Sequence, residues 1–224
     1  MSTQVDNPGQ LKGAFIHSSY WPYIIIDRGG MLSFMRAIAT NAVGQAITLA
    51  AIGAAPKDLV MPNMGVPARC RITLHAHAWV NNLKWVDGSK RSQERYLEII
   101  CRQISGPVAE HIFDDLDHYG SLGLADIQGA DELMSAYEST HGVSSYYVLG
   151  AATCILEGLL SQHYEIAIDM IDHLHQHGRL NGRDLKNYLG NVGKEKLGDQ
   201  VLAALQNPSI EADAHRAERL FIGL

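Results

Sequence analysis

The chain has 224 residues, 46% of them hydrophobic and 19% charged, enough for one large domain or two small ones with a real core. Its formal net charge of −6 speaks against a general nucleic-acid binder, which needs a basic surface. Three widely spaced cysteines, Cys70, Cys101 and Cys154, fit free thiols in a reducing cytosol better than a disulfide framework.

Met1–Leu11 is polar, with neither a basic start nor an apolar core, so the reading here is a soluble cytoplasmic chain without a secretory signal. Ile24–Ile26 ends a β-branched run and predicts a short strand, which Gly29-Gly30 breaks. The small, apolar residues of Met31–Ala54 predict a helix. Arg36, Asn41 and Gln45 within it argue against a lipid-exposed span and for a buried helix. Lys57–Pro67, flanked and punctuated by Pro56, Pro62 and Pro67, predicts an ordered loop.

The next run, Arg71–Val80, carries His75 and His77 in an apolar setting. On a strand, alternate side chains share a face, so both imidazoles could hold one metal. On a helix they stand about 200° apart and could not. Ile72, Leu74, Ala76, Ala78 and Val80 alternate with Thr73, His75, His77 and Trp79, and this period of two favours a strand.

After the Asp87-Gly88 turn, a helix starts at Ser89 or Ser92 and carries an apolar stripe: Tyr96, Ile99, Ile100, Ile104, Val108 and Ile112. Gly106-Pro107 predicts a kink or a split. The acidic Asp114–Asp117 segment ends the helix. Further helices follow: one marked by Ile127, Leu133, Met134 and Tyr137, then Tyr146–Leu160, then Tyr164–His177 closed by Gly178. Asn181 caps a short one through Tyr188, and Glu195–Leu205 is stopped by Pro208. The fold class is mainly α, within α+β, with a few short strands. The division expected is an N-terminal segment, 1–67, packed on a main helical domain, 68–224.

Three segments in order resemble the peptidase domain of the FtsH-type AAA zinc metalloproteases. Ile104-Ser-Gly-Pro-Val-Ala-Glu-His-Ile-Phe113 is similar to the family's helix around an Ala-Gly-Pro-Ala-Ala-Glu stretch. Gly123-Leu-Ala-Asp-Ile-Gln-Gly-Ala130 is similar to its Ser-Asp-Leu-x-x-Ala segment. Leu156–Tyr164 through Leu180–Leu185 is similar to its closing helix pair. The resemblance covers roughly Arg69–Leu189. It implies a helical metallopeptidase-like domain, a zinc cofactor and a ring-forming homo-oligomer, with Asp126 at the third-ligand position and Glu110 matching a glutamate common in the family.

The family's remaining ligands come from a His-Glu-x-x-His helix, in which histidines at i and i+4 share a face and the glutamate activates water. Aligned on Leu74-His75, Ala76 replaces the glutamate and Trp79 the second histidine. Aligned on His77–Val80, Thr73 and Leu74 occupy the His-Glu pair. Neither register gives the motif. Three functions are then open. One is a degenerate metallopeptidase-like domain acting through a protein partner or self-association. Another is an active metal-dependent hydrolase with a rearranged His75, His77 and Asp126 ligand set. The third is a purely structural, oligomerising α-helical protein. No Gly-x-x-x-x-Gly-Lys-Ser/Thr loop or Gly-x-Ser-x-Gly elbow is present. His173 and His177, four apart at a helix end, read as a solvated helix terminus, and Asp114, Asp115, Asp117 and His118 as an acidic turn.

Overall fold

A computed structural model describes residues 28–62, 70–74, 90–114 and 124–222. The protein is mainly helical, with a small three-stranded sheet. In chain order the elements are α1 (Arg28–Ala51), β1 (Asp58–Val60), β2 (Arg71–Thr73), α2 (Lys90–Phe113) and α3 (Leu124–His141). They continue with α4 (Ser145–Gln162), α5 (Tyr164–His177), β3 (Arg179–Leu180), α6 (Gly182–Leu189), α7 (Leu197–Ala204) and α8 (Ile210–Ile222). Among the described residues no single helix is long and apolar enough to cross a membrane.

α1 is the central element. Its polar and apolar residues are not segregated to two faces, the pattern of a helix surrounded by other helices. Ala39, Val43, Ala46, Ile47 and Leu49 are fully buried against α2 and α5. It starts at Arg28, so Gly29-Gly30 lies within its first turn rather than breaking the chain before it. Its end is a Schellman closure: Gly53 takes φ 78°, Gly53 N–H donates to the Ala50 carbonyl and Ala54 N–H to that of Leu49. The strand expected at Ile24–Ile26 lies outside the described residues.

The loop expected over Lys57–Pro67 contains β1, which is the middle strand of the sheet, in the order β2-β1-β3. Both pairings are antiparallel, with Leu59 opposite Ile72 on one side and Leu180 on the other. Three residues flanked by prolines carry no periodicity to read; distant partners make them a strand. Asp58 and Arg179 lock β1 to β3 through a forked pair, Nε to Oδ1 at 2.9 Å and a terminal guanidinium N–H to Oδ2 at 3.0 Å.

α2 runs unbroken through Gly106-Pro107. Pro107 costs the ladder its own N–H and its ring crowds the Gln103 carbonyl one turn back. Fully buried Ile104, Val108 and Ala109 on either side hold that segment in the core. One apolar cluster runs from Ile38 on α1 through Leu59, Leu97, Ile104, Leu156, Met170 and Leu189 to Val201 on α7. The later helices follow the sequence closely. Gly178 closes α5 with φ 70°, and Asn181 builds a full capping box with Asp184 on α6. α8, which no sequence signal marked, packs on α4 where Gly150 lets the Ala214 backbone approach.

Candidate functional site

The polar residues of α1 meet those of α2 in a half-buried seam. Asn41 donates from Nδ2 to Glu110 Oε1 at 2.7 Å, and Gln45 donates from Nε2 to Asn41 Oδ1 at 3.0 Å. Glu110 is fully buried. Residues 41 and 45 share one helix face by their spacing of four. Burying polar groups is expensive unless they are bonded, and here three side chains are linked through Glu110 Oε1, the Asn41 amide and the Gln45 amide.

Two glycines make the seam close. A Cβ on Gly44 would meet the Ser105 carbonyl oxygen at 2.6 Å as well as the Ala109 methyl. A Cβ on Gly106 would displace the Asn41 amide. Glycine is used here for approach, not for its backbone freedom.

The seam continues toward the start of α1. Arg36 donates to Asp114, at the end of α2, at 3.3 Å and to Asp172, on α5, at 2.7 Å. Burial pushes the Asp114 carboxyl up, while Thr40 and Arg36 pull it down. Asp114 is thus a partner of Arg36 and not part of a free acidic turn; Asp115, Asp117 and His118 lie outside the described residues.

His75 and His77 also lie outside the described residues. Asp126 occupies the first turn of α3, and its side chain lies outside them as well. One turn further, Gly129 sits against Gln103 of α2, three residues before Gly106. The start of α3 and the Asn41 face of α1 therefore meet α2 at neighbouring positions.

His173 and His177 stack edge to face with ring centroids 4.8 Å apart, and His173 Nδ1 lies 3.2 Å from the Tyr188 hydroxyl. Gln176 and His177 are exposed, as a solvated helix terminus implies, and no third ligand stands beside the pair among the described residues. More generally, no group of three His, Cys, Asp or Glu side chains converges to hold a metal among the described residues.

The donor set of the seam does not fit zinc. Two neutral amides and one carboxylate offer neither imidazole nor thiolate, and the amides are engaged with each other and with Glu110. Thiol chemistry is equally remote. All three cysteines are free. Burial pushes the Cys70 thiol up to about 12 and raises those of Cys101 and Cys154 too, so thiolate is scarce at neutral pH.

Asn41 and Gln45 were legible in the sequence only as a reason against a lipid span. The signal that singles them out is two amides four residues apart inside an otherwise apolar helix. No protein-family model matches this chain, and no curated protein matches it either.

Proposed function

We propose that this chain is a metallopeptidase-like domain of the FtsH type that has lost its zinc chemistry and acts by contacting a protein partner or by self-assembly. The observation that carries the reading is the pentapeptide Asn41-Ala42-Val43-Gly44-Gln45 on α1. A His-Glu-x-x-His helix needs ligands at i and i+4 and a base at i+1. Here those positions hold Asn41, Gln45 and Ala42. The alanine methyl cannot take a proton, and the amides are poor zinc ligands.

This register differs from the two read between Thr73 and Val80. Thr73 is the last residue of β2, paired with Asp58, so it cannot be the first ligand of a helix. The helix packed on the Gly106–Glu110 stretch, the part of the chain most like the family, is α1. The approach of Gly129, three residues after Asp126, to Gln103 of α2 adds to the argument, because a third ligand would come from this helix.

Metal analysis of the purified chain and of the double variant Asn41→His/Gln45→His tests the reading. The natural chain should carry less than stoichiometric zinc, and the folded double variant should gain one equivalent. Stoichiometric zinc on the natural chain, with chelator-sensitive cleavage of casein, overturns the proposal in favour of a His75, His77 and Asp126 site. A double variant with native circular dichroism and no zinc affinity removes the register. Light scattering tests assembly separately: a discrete oligomer is expected, and a clean monomer at high concentration leaves only a partner protein.

A further inference from the structure

The C-terminal end of α5 carries two imidazoles outside the α1–α2 seam. His173 and His177 stand four residues apart, so they share one helix face. Their ring centroids are 4.8 Å apart. With metal–nitrogen bonds of about 2.0–2.1 Å, a ring centroid stands roughly 3.2 Å from the ion it binds. Two rings on one ion, with bonds roughly 90–110° apart, therefore have centroids about 4.5–5.2 Å apart. The pair already has that spacing. The rings meet edge to face, at 73°. Rotation about χ2 turns an imidazole about an axis through its own centre, so the nitrogens can be re-aimed without changing the spacing.

A second element fixes one of the two rings. His173 Nδ1 lies 3.2 Å from the Tyr188 hydroxyl on α6, with the ring centroids 5.9 Å apart. When Nδ1–H donates to that oxygen, the Nε2 lone pair is left for a metal, which is how ligating histidines are generally held. His173 is half-buried and His177 exposed, so an ion reaches the pair from solvent. The setting favours a cation. α5 ends at His177, where the last carbonyls form the negative end of the helix. Asp169, one turn before His173, adds a carboxylate on the same face. Arg179, the nearest cation along the chain, is bonded to Asp58.

We propose that His173 and His177 form a two-histidine site for a late first-row divalent cation, the class of copper(II), nickel(II) and zinc(II), with Tyr188 as the positioning residue for His173. Water fills the remaining positions, because no third protein ligand converges on the pair among the described residues. Two protein ligands instead of the usual three or four leave the ion exchangeable. It is stripped by dialysis against a chelator, and the site is independent of the reading built on Asn41 and Gln45. Imidazole suits this group of metals, and copper(II) binds it most tightly, which makes copper(II) the sensitive probe.

The test is imidazole-resolved NMR of the full, chelator-stripped chain titrated with copper(II). Substoichiometric copper(II) should broaden the His173 and His177 ring signals first, with His141, His163 and His215 as controls. The broadening of His173 itself gives the affinity of the site, so metal held elsewhere does not disguise the result. His177→Ala should weaken binding at His173 by about tenfold or more, because the second bond of a chelate is intramolecular. Tyr188→Phe keeps the ring but frees Nδ1, and should weaken binding by about tenfold with circular dichroism unchanged. Broadening of the pair no sooner than the three controls shows an adventitious ion only and overturns the proposal. So does an unchanged affinity in a natively folded His177→Ala chain, and an unchanged affinity in Tyr188→Phe overturns the positioning role.

Discussion

Asn41 and Glu110 are bonded across the α1–α2 contact, Nδ2 to Oε1 at 2.7 Å, and the missing side chain of Gly106 leaves room for the amide between them. The bond ties the middle of the central helix to the last turns of its closest neighbour. Gln45 completes it by donating to Asn41 Oδ1, so the amide's acceptor is used as well. Such a network stabilises only while it is whole.

Glu110→Ala should therefore destabilise by about 2–4 kcal/mol, because it removes the acceptor of the half-buried Asn41 amide N–H and leaves a cavity where a fully buried side chain stood. Glu110→Gln retains an oxygen at the same reach and should cost roughly 1 kcal/mol. Urea unfolding followed by circular dichroism measures both. Equal losses for the two variants would show that shape, not the hydrogen bond, is what Glu110 contributes.

Gly44 and Gly106 should answer differently to alanine. The Gly44 methyl would press on the Ser105 carbonyl, which belongs to the α2 backbone and cannot swing aside. Gly44→Ala should cost about 2 kcal/mol or more despite the better helix propensity of alanine. At Gly106 the obstacle is the Asn41 side chain, which can turn away at the loss of its bond. Gly106→Ala should cost about 1 kcal/mol. In that background Asn41→Ala should cost less than it does alone, as a double-mutant cycle reads directly.

The sequence marks this fold where local chemistry decides it and hides it where distant partners do. Gly178, Asn181 and the stripe from Tyr96 to Ile112 placed α5, α6 and α2 within a residue or two, since caps and periodicity are written locally. β1 was hidden because Asp58–Val60 is a strand only by pairing with Arg71–Thr73 and Arg179–Leu180. Pro107 suggested a kink or a split, and the split does not occur, with fully buried Ile104 and Val108 on either side of it in the core. The seam was half visible: Glu110 stood out in α2, whereas Asn41 and Gln45 become its partners only once α1 lies on α2.

Asp58 and Arg179 should contribute modestly to the sheet. Their fork is well formed, but the Arg179 side chain is 62% exposed, so water screens the charge. Asp58→Ala should cost about 0.5–1 kcal/mol and lose less at high salt. A loss several times larger, unaffected by salt, would mean that Asp58 holds β1 through its backbone neighbours rather than through the guanidinium.

The three thiols should separate by burial. Cys101, on the core face of α2, has no exposed surface, and burial raises its pKa along with those of Cys70 and Cys154. A thiol reagent needs both access and thiolate. At mildly alkaline pH, Cys70 and Cys154, which retain some exposure, should react slowly, and Cys101 only as fast as the protein opens. Adding urea below the unfolding midpoint should then accelerate Cys101 most, because its rate counts the open population while the others already react in the native state. Mass spectrometry of the labelled peptides distinguishes the three sites. If Cys101 were modified as readily as Cys154 in native buffer, the α2 face that also carries Ile100 and Ile104 would have to be open to solvent, and the α1–α2 seam with it.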